Sequence, residues 1–139
     1  MFKFTEDMKK VLATAVRPFI FATASKTSKP NGVPIGFIRI LSDEEFIVVD
    51  NFMQKTRQNI IENPIAAVTC WSNELRYGYQ FKGSAHIETF GDAYDSAVKW
   101  VGESKRPFKP KGIIILKVEE VYYVGSGKDS SKNLVSQDN

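Results

Sequence analysis

The chain has 139 residues, 42% of them hydrophobic and 25% charged, which is ordinary for a single globular domain. Its net charge of +3 is small and spread along the sequence, whereas nucleic-acid-binding proteins usually concentrate their basic residues on one face. Cys70 is the one cysteine, which excludes an internal disulfide and a thiolate metal cluster. His86 is the one histidine, which disfavours a histidine-based zinc site and a Ser-His-Asp triad. We therefore expect no nucleic-acid partner and no metal site.

No segment of the sequence resembles a membrane anchor or an export signal. No apolar run reaches the roughly 20 residues that a membrane-spanning helix needs. Met1, Phe2 and Lys3 do not begin a signal peptide. We therefore expect a cytoplasmic protein without a membrane partner.

The first half of the chain predicts one helix followed by strands. Apolar residues recur at helical spacing over 5–15, and Thr5 is placed to cap that helix. β-Branched and aromatic residues predict strands at 19–25, 33–41 and 46–50. Polar turn residues separate these segments, so a three-stranded antiparallel meander is expected.

The second half predicts two more helices and further strands. One helix begins at Lys55 and is stopped by Pro64, and the other covers 92–101 with Asp92 as its cap. The predicted strands are 65–71, 77–90, 113–118 and 121–124. Gly83, in the middle of the long strand, indicates a β-bulge or a close backbone approach.

These elements predict a mainly β protein with six or seven mostly antiparallel strands and two or three short helices, typical of a small closed or split β-barrel. No linker divides the chain, so residues 1–124 are expected to form a single domain. Residues 125–139 are rich in Ser, Lys, Asp and Asn and predict a flexible polar tail.

The clearest ligand signal is the strand at 46–50 that runs into the helix start at Lys55 and Thr56. The unpaired N–H groups and the positive dipole end of a first helical turn favour a phosphate. Lys55 adds a positive charge and Thr56 a hydroxyl donor. The alternative is an ordinary helix start with a solvated lysine.

Three aromatic residues, Tyr77, Tyr79 and Phe81, alternate along one strand and would share one face. Such a face packs into a core, or it forms a dimer interface or a pocket for a flat ring. We favour the interface.

Other chemically capable residues predict structural roles. Cys70 is expected to be a buried small residue rather than a reactive thiol, and His86 a structural or surface residue. The basic loop 105–111 is expected to be solvated, with a lid over an anionic substrate as the second interpretation.

Four segments together resemble the FMN-binding split-barrel family, the superfamily of pyridoxamine 5'-phosphate oxidase and small FMN-binding flavoproteins. The segments are PNGVPIGFIRI at 30–40, FIVVDNFMQKT at 46–56, NIIENPIAAVTCW at 59–71 and GYQFKGSAHI at 78–87. Each is short, but their order and spacing are specific together. The resemblance covers roughly half of the chain and implies an antiparallel split β-barrel.

The resemblance also implies non-covalent FMN at a homodimer interface. Lys55 and Thr56 would hold the phosphate, and Tyr79 would come from the neighbouring subunit. The residues expected along the ribityl chain and ring edge are Val49, Asp50 and Asn51. Those expected to flank the ring are Pro34 and Ile35.

Two departures argue against the specific vitamin B6 oxidase activity. Gln54 stands where those oxidases carry an arginine, and the chain lacks their basic Arg/His pair near the C-terminus. The resemblance then implies an FMN-dependent oxidoreductase or electron-transfer protein with a small-molecule substrate or a redox partner, and no catalytic residue is identified. The alternatives are a non-catalytic flavin- or small-ligand-binding sensor, a structural dimer, or the same fold with F420 or haem.

Overall fold

The computed structural model describes residues 2–51, 53–126 and 132–135. In this part of the chain, seven antiparallel strands form one sheet, accompanied by three helices. In chain order the elements are α1 (Glu6–Thr14), β1 (Phe19–Ala24), β2 (Pro30–Ile35), β3 (Ile38–Ser42), β4 (Glu45–Asp50), α2 (Lys55–Glu62), β5 (Ile65–Ser72), β6 (Tyr77–Glu88), α3 (Asp92–Gly102) and β7 (Gly112–Val124). The strand order is β2-β1-β5-β6-β7-β4-β3, so the mainly β, antiparallel fold class is confirmed.

The sheet is a split barrel, because its two edge strands are consecutive in the chain and yet do not pair with each other. β2 pairs with β1, β3 pairs with β4, and only Gly36 and Phe37 connect the two edges. The sheet must therefore curl until β2 and β3 lie near each other, although the two strands do not pair. Arg17 holds the connection, since its guanidinium donates hydrogen bonds of 3.1 Å to the carbonyls of Gly36 and Ile38.

The expected meander over 19–50 is wrong at one point. The segment 33–41, predicted as one strand, is divided between β2 and β3 at opposite edges of the sheet. In a single strand every second side chain faces inward. Ile35 and Ile38 are both buried although they are three residues apart, so this alternation shifts by one residue between them. That slip turns the chain out of one edge and into the other.

Strand β4 is buried on both faces, which explains its continuous apolar sequence. Phe46 and Val48 pack into the barrel interior, whereas Ile47 and Val49 pack into a second core under α3. Burying each such side chain contributes about 1.5–3 kcal/mol. This strand therefore fixes the position of the segment that follows it, which leads into α2.

Gly83 lies at a β-bulge, as expected. The pairing of β6 with β7 shifts between Lys82 and Gly83, which leaves Glu119 as the extra residue. A Cβ atom on Gly83 would collide with the carbonyl oxygen of Lys117. The two strands predicted at 113–118 and 121–124 are accordingly one strand, because the bulge interrupts the alternation without ending the pairing.

The helix caps agree with the sequence in one case and differ in another. Thr5 caps α1, since its side-chain oxygen accepts a hydrogen bond of 3.1 Å from the N–H of Met8. Asp92 was expected to cap α3, but it is the first helical residue, and Gly91 with a φ of 101° occupies the cap. Among the described residues, no helix has the length and apolar character needed to cross a membrane.

Most of the predicted tail 125–139 lies outside the described residues. Within 132–135, the N–H of Leu134 donates to the carbonyl of Val121 over 2.8 Å. The side-chain oxygen of Asn133 accepts from the N–H of Val121 over 3.0 Å. The division into a domain and a flexible tail stays a prediction.

Candidate functional site

A cleft of about 580 Å³ lies where β2, the end of β4, the start of α2 and the loop before β7 meet. Its volume falls in the range of roughly 300–1,000 Å³ that is typical of small-molecule sites. The residues that line it are Asn31, Val33, Pro34, Ile35, Gly36, Phe37, Val49, Asn51, Met53, Gln54, Lys55, Thr56 and Phe108.

This cleft brings together most of the residues that the sequence singled out. The predicted site residues that line it are Pro34, Ile35, Val49, Asn51, Lys55 and Thr56. Asp50 lies directly beside it, whereas Tyr79 is in the barrel interior. The contact of each with a cofactor stays a prediction.

One end of the cleft is formed by the first turn of α2. No side chain of the described residues caps this helix, and its first turn contains no acidic residue. By contrast, α1 has the Thr5 cap with Glu6 and Asp7, and α3 begins with acidic residues of its own. Lys55 is exposed and forms no ion pair with another described residue. The first turn of α2 therefore contains no carboxylate of its own that would neutralise its positive end, and the carboxylate beside it, that of Asp50, is buried and faces Arg57.

A buried polar network holds Thr56 in place behind this turn. The hydroxyl oxygen of Thr56 accepts a hydrogen bond of 3.1 Å from Nδ2 of Asn31. The hydroxyl of Thr23 accepts from Nδ2 of Asn59 over 3.0 Å and, more weakly, from Asn31 over 3.5 Å. A hydroxyl that accepts in this way can still donate its hydrogen to an anion.

Asp50 shapes the segment that enters α2. Its carboxylate is fully buried, and Oδ1 accepts from the N–H of Met53 over 3.1 Å while Oδ2 faces Arg57 at 3.5 Å. Burial raises the pKa of Asp50 above its ordinary value, an effect that Met53, Arg57 and Lys111 oppose only in part. The residue is thus a structural anchor for the start of α2.

The other end of the cleft has aromatic walls. Phe37 packs edge-to-face against Phe108 at 5.7 Å and against Trp100 at 5.3 Å between ring centroids. The loop that carries Phe108 is the basic loop 105–111, and Tyr94 ties it down through a hydrogen bond of 2.8 Å to the carbonyl of Pro110. The loop therefore supplies a wall of the cleft.

Sequence reasoning missed Asn31, Phe37 and Phe108. Asn31 lay in a segment predicted to be a turn, and Phe37 lay in the middle of what was predicted to be a single strand. A lone aromatic among the basic residues of 105–111 was the available signal for Phe108.

The remaining candidates lie away from the cleft. The hydroxyl of Tyr79 donates to a carboxylate oxygen of Asp7 over 2.5 Å, and burial together with that bond raises its pKa. Phe81 belongs to the same core and Tyr77 packs against it. The aromatic face is therefore part of the core of this chain, and the interface that the sequence favoured for it is wrong. Cys70 is buried, and burial raises the pKa of its thiol, while His86 is exposed and lies 2.8 Å from Glu88. The buried position expected for Cys70 and the surface position expected for His86 are confirmed, and the absence of a chemical role for either stays a prediction.

The comparison with known families identifies the class. A family model described as pyridoxamine 5'-phosphate oxidase matches residues 4–125, and the chain belongs to this family. An uncharacterized protein of Methanocaldococcus jannaschii is 39% identical over 98% of this chain and 90% of its own length.

Solved structures agree on the fold. HupZ of Group A Streptococcus superposes with a TM-score of 0.78 and 31% identity, covering 88% of this chain and 95% of its own. An FMN-binding protein from Syntrophomonas wolfei has a TM-score of 0.75 and 14% identity, covering 88% of this chain and 87% of its own.

Proteins of this fold are named for different cofactors. An F420 reductase has a TM-score of 0.66 and 14% identity, with coverage of 84% of this chain and 97% of its own. A heme binding protein from Mycobacterium smegmatis has a TM-score of 0.62 and 16% identity, with coverage of 88% and 55%. The fold family is therefore established, and it includes FMN, F420 and haem proteins.

Proposed function

We propose that the chain binds FMN in this cleft and acts as an oxidoreductase or electron-transfer flavoprotein. The observation that carries the proposal is the pairing, in one cleft, of an anion-favouring helix start with flat apolar walls. These are the two chemistries that a phosphate-bearing ring requires. Bound FMN would supply the redox chemistry, while the protein binds and orients it.

The phosphate would lie against the first turn of α2. Lys55 offers a mobile positive charge, and the hydroxyl of Thr56 is fixed in orientation by Asn31. The N–H groups of the uncapped turn add donors directed out of the helix. Together they meet the needs of a dianionic group without any opposing carboxylate in the turn.

The ring would lie between the apolar walls at the other end, flanked by Pro34, Ile35 and Phe108. The N–H of Val49 already donates to the carbonyl of Phe37 over 3.0 Å, and the carbonyl of Asp50 already accepts from Lys111 over 3.1 Å. Asn51 is therefore the residue of this segment that we expect to reach the polar edge of the ring.

The cleft favours redox chemistry over hydrolysis. Among the described residues that line it, Lys55 is the one ionisable side chain, so no acid–base pair faces a substrate. Hydride or electron transfer needs positioning and exclusion of water rather than such a pair. The walls formed by Phe37 and Phe108 would serve that exclusion.

A homodimer is part of the proposal. The outer face of β1 and β5 exposes Ile20, Ile65 and Trp71 around the small side chains of Ala22 and Ala67. Its rim carries the charged side chains of Lys82, Glu119 and Glu120. A flat apolar centre with charges of both signs at its rim is suited to a second copy related by a two-fold axis.

Inside this protomer the Tyr79 hydroxyl is bonded to Asp7, so the contribution of Tyr79 to a neighbouring subunit's cleft stays a prediction. The cytoplasmic location expected from the sequence also stays a prediction.

The decisive experiment is an absorbance scan of the purified protein followed by titration with FMN and riboflavin. We expect the flavin spectrum to change on binding and FMN to bind more tightly than riboflavin. A colourless preparation that takes up no FMN would overturn the proposal. Reduction of the bound flavin by NAD(P)H or another donor would support turnover, and a flavin that no donor reduces would favour the sensor.

A further inference from the structure

A second pocket adjoins the phosphate end of the cleft. Its volume is about 290 Å³, and it shares Asn31 and Lys55 with the cleft. It lies between the turn that joins β1 to β2 and the side of α2. We call this cavity the rear pocket.

All but one of the residues that line the rear pocket have polar side chains, and none of these described residues carries a carboxylate. Besides the shared pair, the side chains that face it include Lys29, Ser25, Gln58 and Asn59. Lys29 and Lys55 form no ion pair with any described residue. The nearby acid Glu62 accepts from Nε2 of Gln58 over 2.6 Å but does not line the pocket. This donor set suits an anion.

The turn that carries Lys29 is held against α2. The N–H of Ser25 donates to the carbonyl of Lys29 over 2.9 Å, and the N–H of Lys29 donates to the hydroxyl of Ser25 over 3.0 Å. Nδ2 of Asn63 donates to the carbonyls of Ala24 and Ser25, both over 3.3 Å. The backbone of Lys29 is thereby fixed on the opposite side of the rear pocket from Lys55.

We propose that the rear pocket is a second anion subsite, which takes a phosphate or carboxylate group next to the first phosphate. The group is either attached to the flavin, as the second phosphate of FAD is, or belongs to a separate oxyanion. Lys29 and Lys55 provide the charge for it. Gln58 and Asn59 each keep one amide hydrogen for it, since the other is donated to Glu62 or to Thr23. The attached case rests on the proposed flavin binding, whereas the subsite itself does not.

The first test uses inorganic pyrophosphate and the full chain without flavin, followed by NMR. We expect the amide signals of Ser25 and Lys29 and the side-chain signal of Gln58 to shift on titration. Lys29→Gln should raise the dissociation constant at least fivefold. Lys26→Gln removes the same charge from the same turn but not from the pocket lining, and it should change the constant less than twofold.

Unshifted signals at Ser25 and Gln58, or equal effects of the two lysine variants, would overturn the subsite. The second test compares FMN with FAD in the wild type and in Lys29→Gln. If Lys29→Gln weakens the binding of FAD more than that of FMN, the subsite takes the attached phosphate. If it changes the affinity for both flavins equally, the subsite takes a separate oxyanion. Lys29-dependent pyrophosphate binding in a chain that binds no flavin would support the subsite while overturning the proposed function.

Discussion

Asn31 on β2 donates a hydrogen bond of 3.1 Å to the hydroxyl oxygen of Thr56 in the first turn of α2. This bond connects an edge strand of the barrel to the helix start that forms the polar end of the cleft. An edge strand has a sheet partner on one side only, so a contact of this kind limits its movement. The edge strand and the helix start, which form the walls at this end of the cleft, are therefore held in a fixed position relative to each other.

The first prediction concerns the phosphate assignment of Lys55. Lys55→Ala removes one charge-assisted hydrogen bond while leaving the Asn31–Thr56 contact intact, so FMN should bind about tenfold more weakly. Riboflavin, which lacks the phosphate, should bind almost unchanged. Fluorescence titration of both flavins measures this, with Lys99→Ala on α3 as a control. An equal loss for FMN and riboflavin would remove Lys55 from the phosphate site.

The second prediction concerns the pH dependence of stability at Asp50. Burial raises its pKa in the folded state, so the folded protein holds this proton more tightly than the unfolded chain does. The contribution of Asp50 is therefore greatest below its ordinary pKa and is lost as the pH rises through the folded value. Asp50→Asn keeps the acceptor for Met53 and removes the titration.

Urea unfolding of the wild type and Asp50→Asn across the acidic range measures this contribution. The free energy of unfolding of the wild type minus that of the variant should fall as the pH rises. Asp43→Asn, at an exposed aspartate, supplies the control. A difference that grows with pH would mean that the ion pair with Arg57 outweighs burial.

The third prediction tests the bulge at Gly83. Gly83→Ala places a methyl group against the carbonyl oxygen of Lys117, and backbone on both sides must move. We expect a loss of about 2 kcal/mol or more in the free energy of unfolding. The matched control is Gly32→Ala, whose Cβ would meet only a side-chain atom of Ile20 at 3.8 Å. The control should stay within about 1 kcal/mol of the wild type. Equal effects would contradict the close approach.

Gly83 also illustrates how far the sequence predicts this fold. A glycine in the middle of a strand pattern has few explanations, and so the bulge could be anticipated. The division between β2 and β3 at Gly36 and Phe37 could not be anticipated. Apolar residues continue through it, and the alternation of inward-facing side chains shifts by only one residue. At Glu119 and Glu120 the sequence predicted a break between two strands where the structure has one strand. Two successive exposed residues look like the end of a strand, although the pairing of β6 with β7 continues.

The candidate site was predictable where it depends on local sequence. Lys55 and Thr56 begin a helix that residues 51–54 separate from a buried strand, and a strand that leads through a short loop into a helix start is visible in the sequence. Asn31, Phe37 and Phe108 reach the same cleft from separate segments that only the curvature of the barrel brings together. Their positions depend on long-range packing, which the periodicity of a single segment does not encode.

The fourth prediction concerns the dimer. Ile65 lies on the outer face of β5 with 54% of its surface exposed in the single chain. Covering such side chains releases water from apolar surface, whereas a lysine there would retain its hydration. Ile65→Lys should convert a dimer of twice 15.7 kDa into a monomer, as measured by light scattering over a range of concentrations.

Phe90→Lys is the matched control, because Phe90 is exposed in the turn between β6 and α3 and should not change the mass. If the flavin lies at the subunit interface, Ile65→Lys should also weaken FMN binding, and high protein concentration should restore both mass and affinity. A monomeric wild type, or a dimer that tolerates Ile65→Lys, would exclude this face. A variant that becomes monomeric and still binds FMN with unchanged affinity would place the whole flavin site within one subunit.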